Sequence, residues 1–276
     1  MKIHKNYKDK MDKKGMRLGV NRGLNDRGQA TIFVIIAILL VAGIAIMFLF
    51  FPDVTDRITG QEFSPQSFLK SCVESDLQDN VNLLSNNGGY ANPEGFILHN
   101  GKKVKYLCYT SEYYKTCSVQ SPMIKSHFED ELGRLSQARA SACLGLLKQE
   151  YEKRGFSVSS GATKTSVDIV PSTIRVKFET PMTVTKDDIR NFDGFEININ
   201  SEIYDLLYTA QSIIDFEATY GDSETSLYLQ YYPNLKIEKE KLQDGTTIYK
   251  LSNVLTDDSF TFASRSLAWS AGFGTE

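Results

Sequence analysis

Apolar residues are distributed along this chain in three ways: one unbroken run, three stretches at helical spacing, and several short tracts that alternate. The unbroken run is GQATIFVIIAILLVAGIAIMFLFFP, residues 28–52, with 25 residues and no charge. As a helix at about 1.5 Å per residue it reaches roughly 37 Å, more than a hydrocarbon core of about 30 Å. Asp53 and Asp56 follow Pro52 at once. The pattern predicts a transmembrane helix over 29–52 and a short polar linker over 53–64.

Helical spacing follows. Ser64-Pro65 opens a helix in which Phe68, Leu69, Cys72, Val73, Leu77, Val81 and Leu84 recur every three or four residues. Asn86-Asn87-Gly88-Gly89 ends it. A second helix starts after Ser121-Pro122 and runs to about Arg154, with Gly155 as its stop. A third starts at Ser201 and buries Ile203, Leu206, Leu207, Ala210, Ile213 and Ile214.

Between and after these helices the period falls to two. Asn100-Gly101 joins two strands over Phe96–Tyr109, and Asn-Gly is the favoured hairpin dipeptide. Val167, Ile169, Ile174, Val176 and Phe178 alternate around Pro171-Ser172. Phe195–Ile199 is a short strand, Asp244-Gly245 joins another hairpin, and Phe260–Ala263 supplies the last strand. The order predicts an α+β fold, with helices packed on an antiparallel sheet. Residues 65–276 read either as one domain or as a helical part over 65–155 followed by a sheet part over 156–276.

Charge sharpens the picture. Residues 1–28 carry nine Lys/Arg and three acids, while the rest of the chain carries 22 and 31. A basic head before an apolar belt predicts a cytoplasmic head and an outer body, because positive charge is retained inside. The acidic body makes nucleic acid an unsuitable partner and leaves membrane lipid as the expected one.

All four cysteines, Cys72, Cys108, Cys117 and Cys143, fall in the segment placed outside, where disulfides form. Four cysteines allow three connectivities. Cys72 and Cys143 each lie on an apolar helix face, and Cys108 and Cys117 share one strand-loop unit, so those two pairs are favoured. Four buried reduced thiols are the alternative. No Cys-x-x-Cys pair exists and neither His99 nor His127 shows ligand spacing, so no metal is expected. No Gly-x-Ser-x-Gly or phosphate-binding glycine loop occurs in a suitable context, so neither a cofactor nor catalysis is expected. Acidic runs such as Glu129-Asp130-Glu131 read as solvated faces. Tyrosine is the richest exposed chemistry. Tyr109, Tyr113 and Tyr114 crowd one loop, Tyr231 and Tyr232 another, and they are candidates for a partner surface.

Arg27-Gly28-Gln29-Ala30-Thr31 resembles the processing site of archaeal class III, type IV pilin-like signal peptides. The resemblance implies cleavage between Gly28 and Gln29 by a prepilin-type peptidase. Pilins of this kind carry Glu at the fifth mature position, where this chain has Phe33, a departure that argues against polymerisation. The outer arrangement also resembles a group of anchored surface proteins of small-genome archaea. There, as from Cys72 to Tyr90 here, a Cys-bearing helix ends in Gly-Gly-Tyr. A strand into Pro-x-x-Val-x-Lys follows, here Pro181 to Lys186. That resemblance implies architecture and location, not chemistry.

The resulting expectation is a single-pass, pilin-like structural or recognition protein of the cell surface, able to associate with itself or other surface proteins. Two other readings stand beside it. An anchored envelope hydrolase would need a pocket joining His99 or His127 with Asp/Glu and Ser. An accessory factor for pilus assembly or export would bind its partner through the tyrosines.

Overall fold

The computed structural model describes residues 34–44, 46 and 63–268. The chain divides into two compact units, Met1–Phe63 and Ser64–Glu276. In the first unit, 34–44 and 46 are helical, and the large apolar side chains there are exposed. Eleven helical residues rise about 16 Å, near half of a hydrocarbon core. Among the described residues no helix is long and apolar enough to cross a membrane. The expected transmembrane helix over 29–52 is corrected accordingly: the described part of that run is a short apolar helical segment. Arg27, Gly28 and Gln29, the expected processing residues, lie outside the described residues.

The second unit is α+β. Its first helix, α1 (Pro65–Asn86), starts where the Ser67 N–H donates to the Ser64 side chain and Pro65 fills a position that needs no donor. Leu69, Val73, Leu77, Val81 and Leu84 are its buried stripe. The helix α2 (Ile124–Lys153) buries Phe128, Leu132, Ala140, Cys143 and Leu147 and lies against α1. Arg139 donates twice to the Cys72 carbonyl, at 3.1 and 2.8 Å, beside the Cys72–Cys143 disulfide that joins the two helices.

The chain leaves α1 through Gly88 (φ 67°) and Gly89 (φ 90°). A Cβ on Gly88 would sit 2.8 Å from the Cβ of Lys105. Gly88→Ala is therefore expected to destabilise the body by about 2 kcal/mol, from the left-handed backbone and the forced shift together. Denaturant titration checks it, and a loss under about 0.5 kcal/mol, the ordinary range of a surface change, would contradict the close approach.

Among the described residues, ten strands form two sheets. The first has the order β1-β2-β10-β9-β8, with β3 beside β2. Its strands are β1 (Phe96–His99), β2 (Lys102–Tyr109), β3 (Ser118–Val119), β8 (Leu235–Lys241), β9 (Thr246–Asn253) and β10 (Ser259–Arg265). The β2–β10 pair is parallel, so the sheet departs from the expected antiparallel pattern. A parallel pair needs a long crossover, and the whole chain between residues 109 and 259 supplies it. That pairing joins strands from both sides of residue 155 in one sheet.

The second sheet is built on β6 (Thr173–Thr185). One edge of β6 takes β5 (Lys164–Val170) and then β4 (Ser157–Ser160), and the other takes β7 (Ile189–Asn200). The β6–β7 register shifts between Glu179 and Met182, where Pro181 can donate no ladder hydrogen bond. Gly194 fits opposite: a Cβ there would lie 2.5 Å from the Phe178 carbonyl oxygen.

The edge strand β5 is covered by polar side chains of α2. Glu129 accepts from the Ile169 N–H at 2.6 Å and Gln137 from the Thr165 N–H at 2.8 Å. These bonds occupy donors that would otherwise invite another strand. They also correct the reading of Glu129-Asp130-Glu131 as a solvated face. Glu131 takes the Ala91 N–H at 3.2 Å and pairs with Arg134, leaving only Asp130 exposed. The helix α3 (Ile203–Tyr220) lies against β9, β10 and β2, and the short α4 (Ser226–Tyr231) lies against β8. In the core, Phe128, Phe260, Phe262 and Tyr249 form a chain of rings with centroids 5.1 to 6.4 Å apart.

Candidate recognition surfaces

The tyrosines grouped by the sequence occupy opposite ends of the first sheet. At one end Tyr109 pairs with Arg265, which pairs with Thr246; at the other Ser259 pairs with Ser252 and Leu235 with Asn253. Six residue steps along β10 at about 3.3 Å each separate the ends by about 20 Å. Tyr109, Tyr113 and Tyr114 lie at the first end, and Tyr231 and Tyr232 lie just ahead of β8 at the second.

The first end is a loop between β2 and β3, closed by a disulfide between Cys108 and Cys117. It is tied to the segment after β10 on both sides. The Thr110 N–H donates to the Arg265 carbonyl at 2.9 Å, and the Leu267 N–H to that of Lys115 at 3.1 Å. Arg265 returns a bond to the Thr110 carbonyl at 2.7 Å, donates to the Asp244 carbonyl at 3.0 Å, and lies 5.7 Å from the Tyr109 ring centre. Tyr106 meets Tyr109 edge-on at 5.0 Å, and burial pushes its phenol pKa up. Beyond this frame Tyr113 is 74% and Tyr114 76% exposed. Tyr114 has φ 56°, a conformation that costs a bulky residue about 1–2 kcal/mol.

Beneath the loop lies a buried carboxyl. Glu217, 2% exposed, accepts from Tyr249 Oη, from Ser264 Oγ at 3.1 Å and from the Ser223 N–H at 3.1 Å. Ser264 Oγ is also 3.7 Å from Cys117 Sγ, so the network reaches the disulfide. Burial drives the Glu217 pKa up against the opposing hydrogen bonds, and drives that of Tyr249 far up.

The second end is a cleft of about 320 Å³ between the start of α3 and the segments flanking β8 and β9. Glu202, Asp205, Thr209, Tyr232, Asn234 and Leu255 are among its walls. A smaller cavity of about 130 Å³ shares Asp205, Thr209 and Tyr232 and adds Tyr208, Tyr228 and Ser212. Tyr228 Oη and Ser212 Oγ are 2.8 Å apart, which fixes that ring. Tyr231 is exposed and lines neither cavity.

His99 and His127 line neither cavity. His127 stacks on Tyr90 with ring centres 3.9 Å apart, its Nε2 is buried without a hydrogen-bond partner, and burial lowers its pKa. His99 is 2.9 Å from the Asn100 side chain and 3.6 Å from the Glu240 carboxylate. Sequence reasoning missed Arg265, Glu217, Glu202 and Asn253 as site residues. Arg265, Glu217 and Glu202 bond partners far away in the chain, such as Thr110 for Arg265, and no local spacing signals such a pairing; Asn253 bonds the nearby Leu255 N–H.

No protein-family model matches this chain, and neither a curated protein nor a solved structure matches it.

Proposed function

We propose that residues 64–276 are the recognition body of an extracytoplasmic protein. The body takes its partner through the loop closed by Cys108 and Cys117. The observation that carries this reading is Tyr114: three-quarters exposed, yet held in the left-handed region inside a disulfide-closed, Arg265-braced loop. Strain retained at an exposed aromatic contributes nothing to packing and suits a preorganised contact. Tyrosine supplies contact area at low entropy cost, and aromatic anchors dominate binding energy at protein interfaces. Two disulfides in the body fit an oxidising compartment.

Tyr114→Gly separates the two roles. It relieves the backbone and is expected to raise stability by roughly 0.5 kcal/mol, the strain of about 1–2 kcal/mol less the added freedom of the unfolded chain. A photoreactive side chain at Tyr113 should cross-link a surface protein in native cells, and Tyr114→Gly should remove that adduct. The same probe at exposed Leu98 is the control. No adduct at Tyr113, or equal adducts at Tyr113 and Leu98, would contradict the reading.

A further inference from the structure

We infer that the cleft at the second end of the first sheet binds an alkylammonium group, the chemistry shared by a lysine side chain and a free polyamine. The inference stands independently of the loop at the other end. Glu202 and Asp205 face the cleft and make no ion pair among the described residues, and no Lys, Arg or His lines either cavity. Lys236 is adjacent in sequence to the lining residue Leu235, but side chains alternate along a strand, so it points to the other face and pairs with Glu238 at 3.0 Å.

The start of a helix ordinarily attracts anions, and here that attraction is already met. Asp258 accepts from the Glu202 N–H at 2.7 Å and from Ser201 Oγ at 2.9 Å, and Ser201 Oγ takes the Ile203 N–H at 3.2 Å. Three carboxylates, Glu202, Asp205 and Asp258, outweigh a helix end worth about half a positive charge. The cleft is therefore a place for a cation.

Thr209 is the second, independent sign. It is only 8% exposed and lines both cavities, yet its hydroxyl makes no hydrogen bond among the described residues. The hydroxyl is open to the cleft rather than sealed in the core, so it is free to accept an ammonium N–H. Tyr232 and Tyr208 add ring faces that attract a cation. Leu206, Leu235 and Leu255 give apolar walls for a methylene stem. A bare metal ion has no use for such walls and takes a fuller oxygen shell. A volume near 320 Å³ is at the lower end of small-ligand sites.

The test is calorimetric titration of the full chain in detergent micelles with spermidine and with trilysine amide, at low salt. Saturable binding of either supports the inference. Tighter binding of spermidine identifies a free polyamine as the source, and tighter binding of trilysine a lysine of a protein. Asp205→Asn and Glu202→Gln should each weaken binding about tenfold, as expected for loss of a charge-assisted bond. Neither carboxylate braces another described side chain, so both variants should fold. No heat at millimolar ligand, equal binding of glucose, or affinity unchanged in both variants would overturn it.

Discussion

Replacing Cys72 and Cys143 together by alanine is expected to lower the unfolding free energy by about 4 kcal/mol. The bond closes 71 residues, and loop entropy for that length gives about 4.4 kcal/mol at 25 °C. The Cys108–Cys117 bond closes only nine, for which the same relation gives about 2.6 kcal/mol. The order of the two losses follows from loop length. Arg139 will not substitute for the longer bond, because its two hydrogen bonds to the Cys72 carbonyl leave the unfolded chain unconstrained. Urea titration of the two double-alanine variants measures both losses. A larger loss from the short loop, or a loss under about 1 kcal/mol from the long one, would contradict this ranking.

Glu217→Ala is expected to cost about 4 kcal/mol, since it orphans three donors in the core at about 1–3 kcal/mol each, with partial relaxation. The donors are Tyr249 Oη, Ser264 Oγ and the Ser223 N–H. Glu217→Gln keeps the volume and one acceptor oxygen and should cost less. The two variants also give a pH signature. The Glu217 pKa is raised above the ordinary value of 4.5, with burial as the main cause. The folded state then holds a proton that the unfolded state has lost, so stability falls as pH rises between 4.5 and the raised value. Its contribution is complete below pH 4.5 and is lost as pH passes the folded value. Stability of the natural chain relative to Glu217→Gln should therefore decline with rising pH. A difference that grows with pH would contradict it.

Local patterns made much of the body legible. The stripe from Leu69 to Leu84 marks α1, because buried positions on a helix must recur every three or four residues. Asn100-Gly101 and Asp244-Gly245 mark hairpin turns because positive φ is needed there, and Asn100, Gly101 and Gly245 adopt it. The cysteines were legible because two lie on helix stripes and two nine residues apart in one loop.

What stayed hidden is non-local. Nothing near β2 announces a parallel partner from the far end of the chain. Strand β6 continues through Pro181, beyond the alternation that ends at Phe178, because the bulge there requires no donor. Glu129 reads as surface, and only the edge of β5 gives it a buried role. The tyrosines read as two loops of one partner surface, and only the register of β10 sets them about 20 Å apart. Hydrophobicity predicts a span over residues 29–52, whereas the described helical segment there is too short for one.

The most direct test of an oxidised recognition body is the intact mass, measured without reduction, of the chain taken from its native cells. Two disulfides predict a mass lower by four hydrogens than that of the reduced chain. A mass with all four thiols intact would contradict both the disulfide-closed loop and the placement of the body outside the cytoplasm.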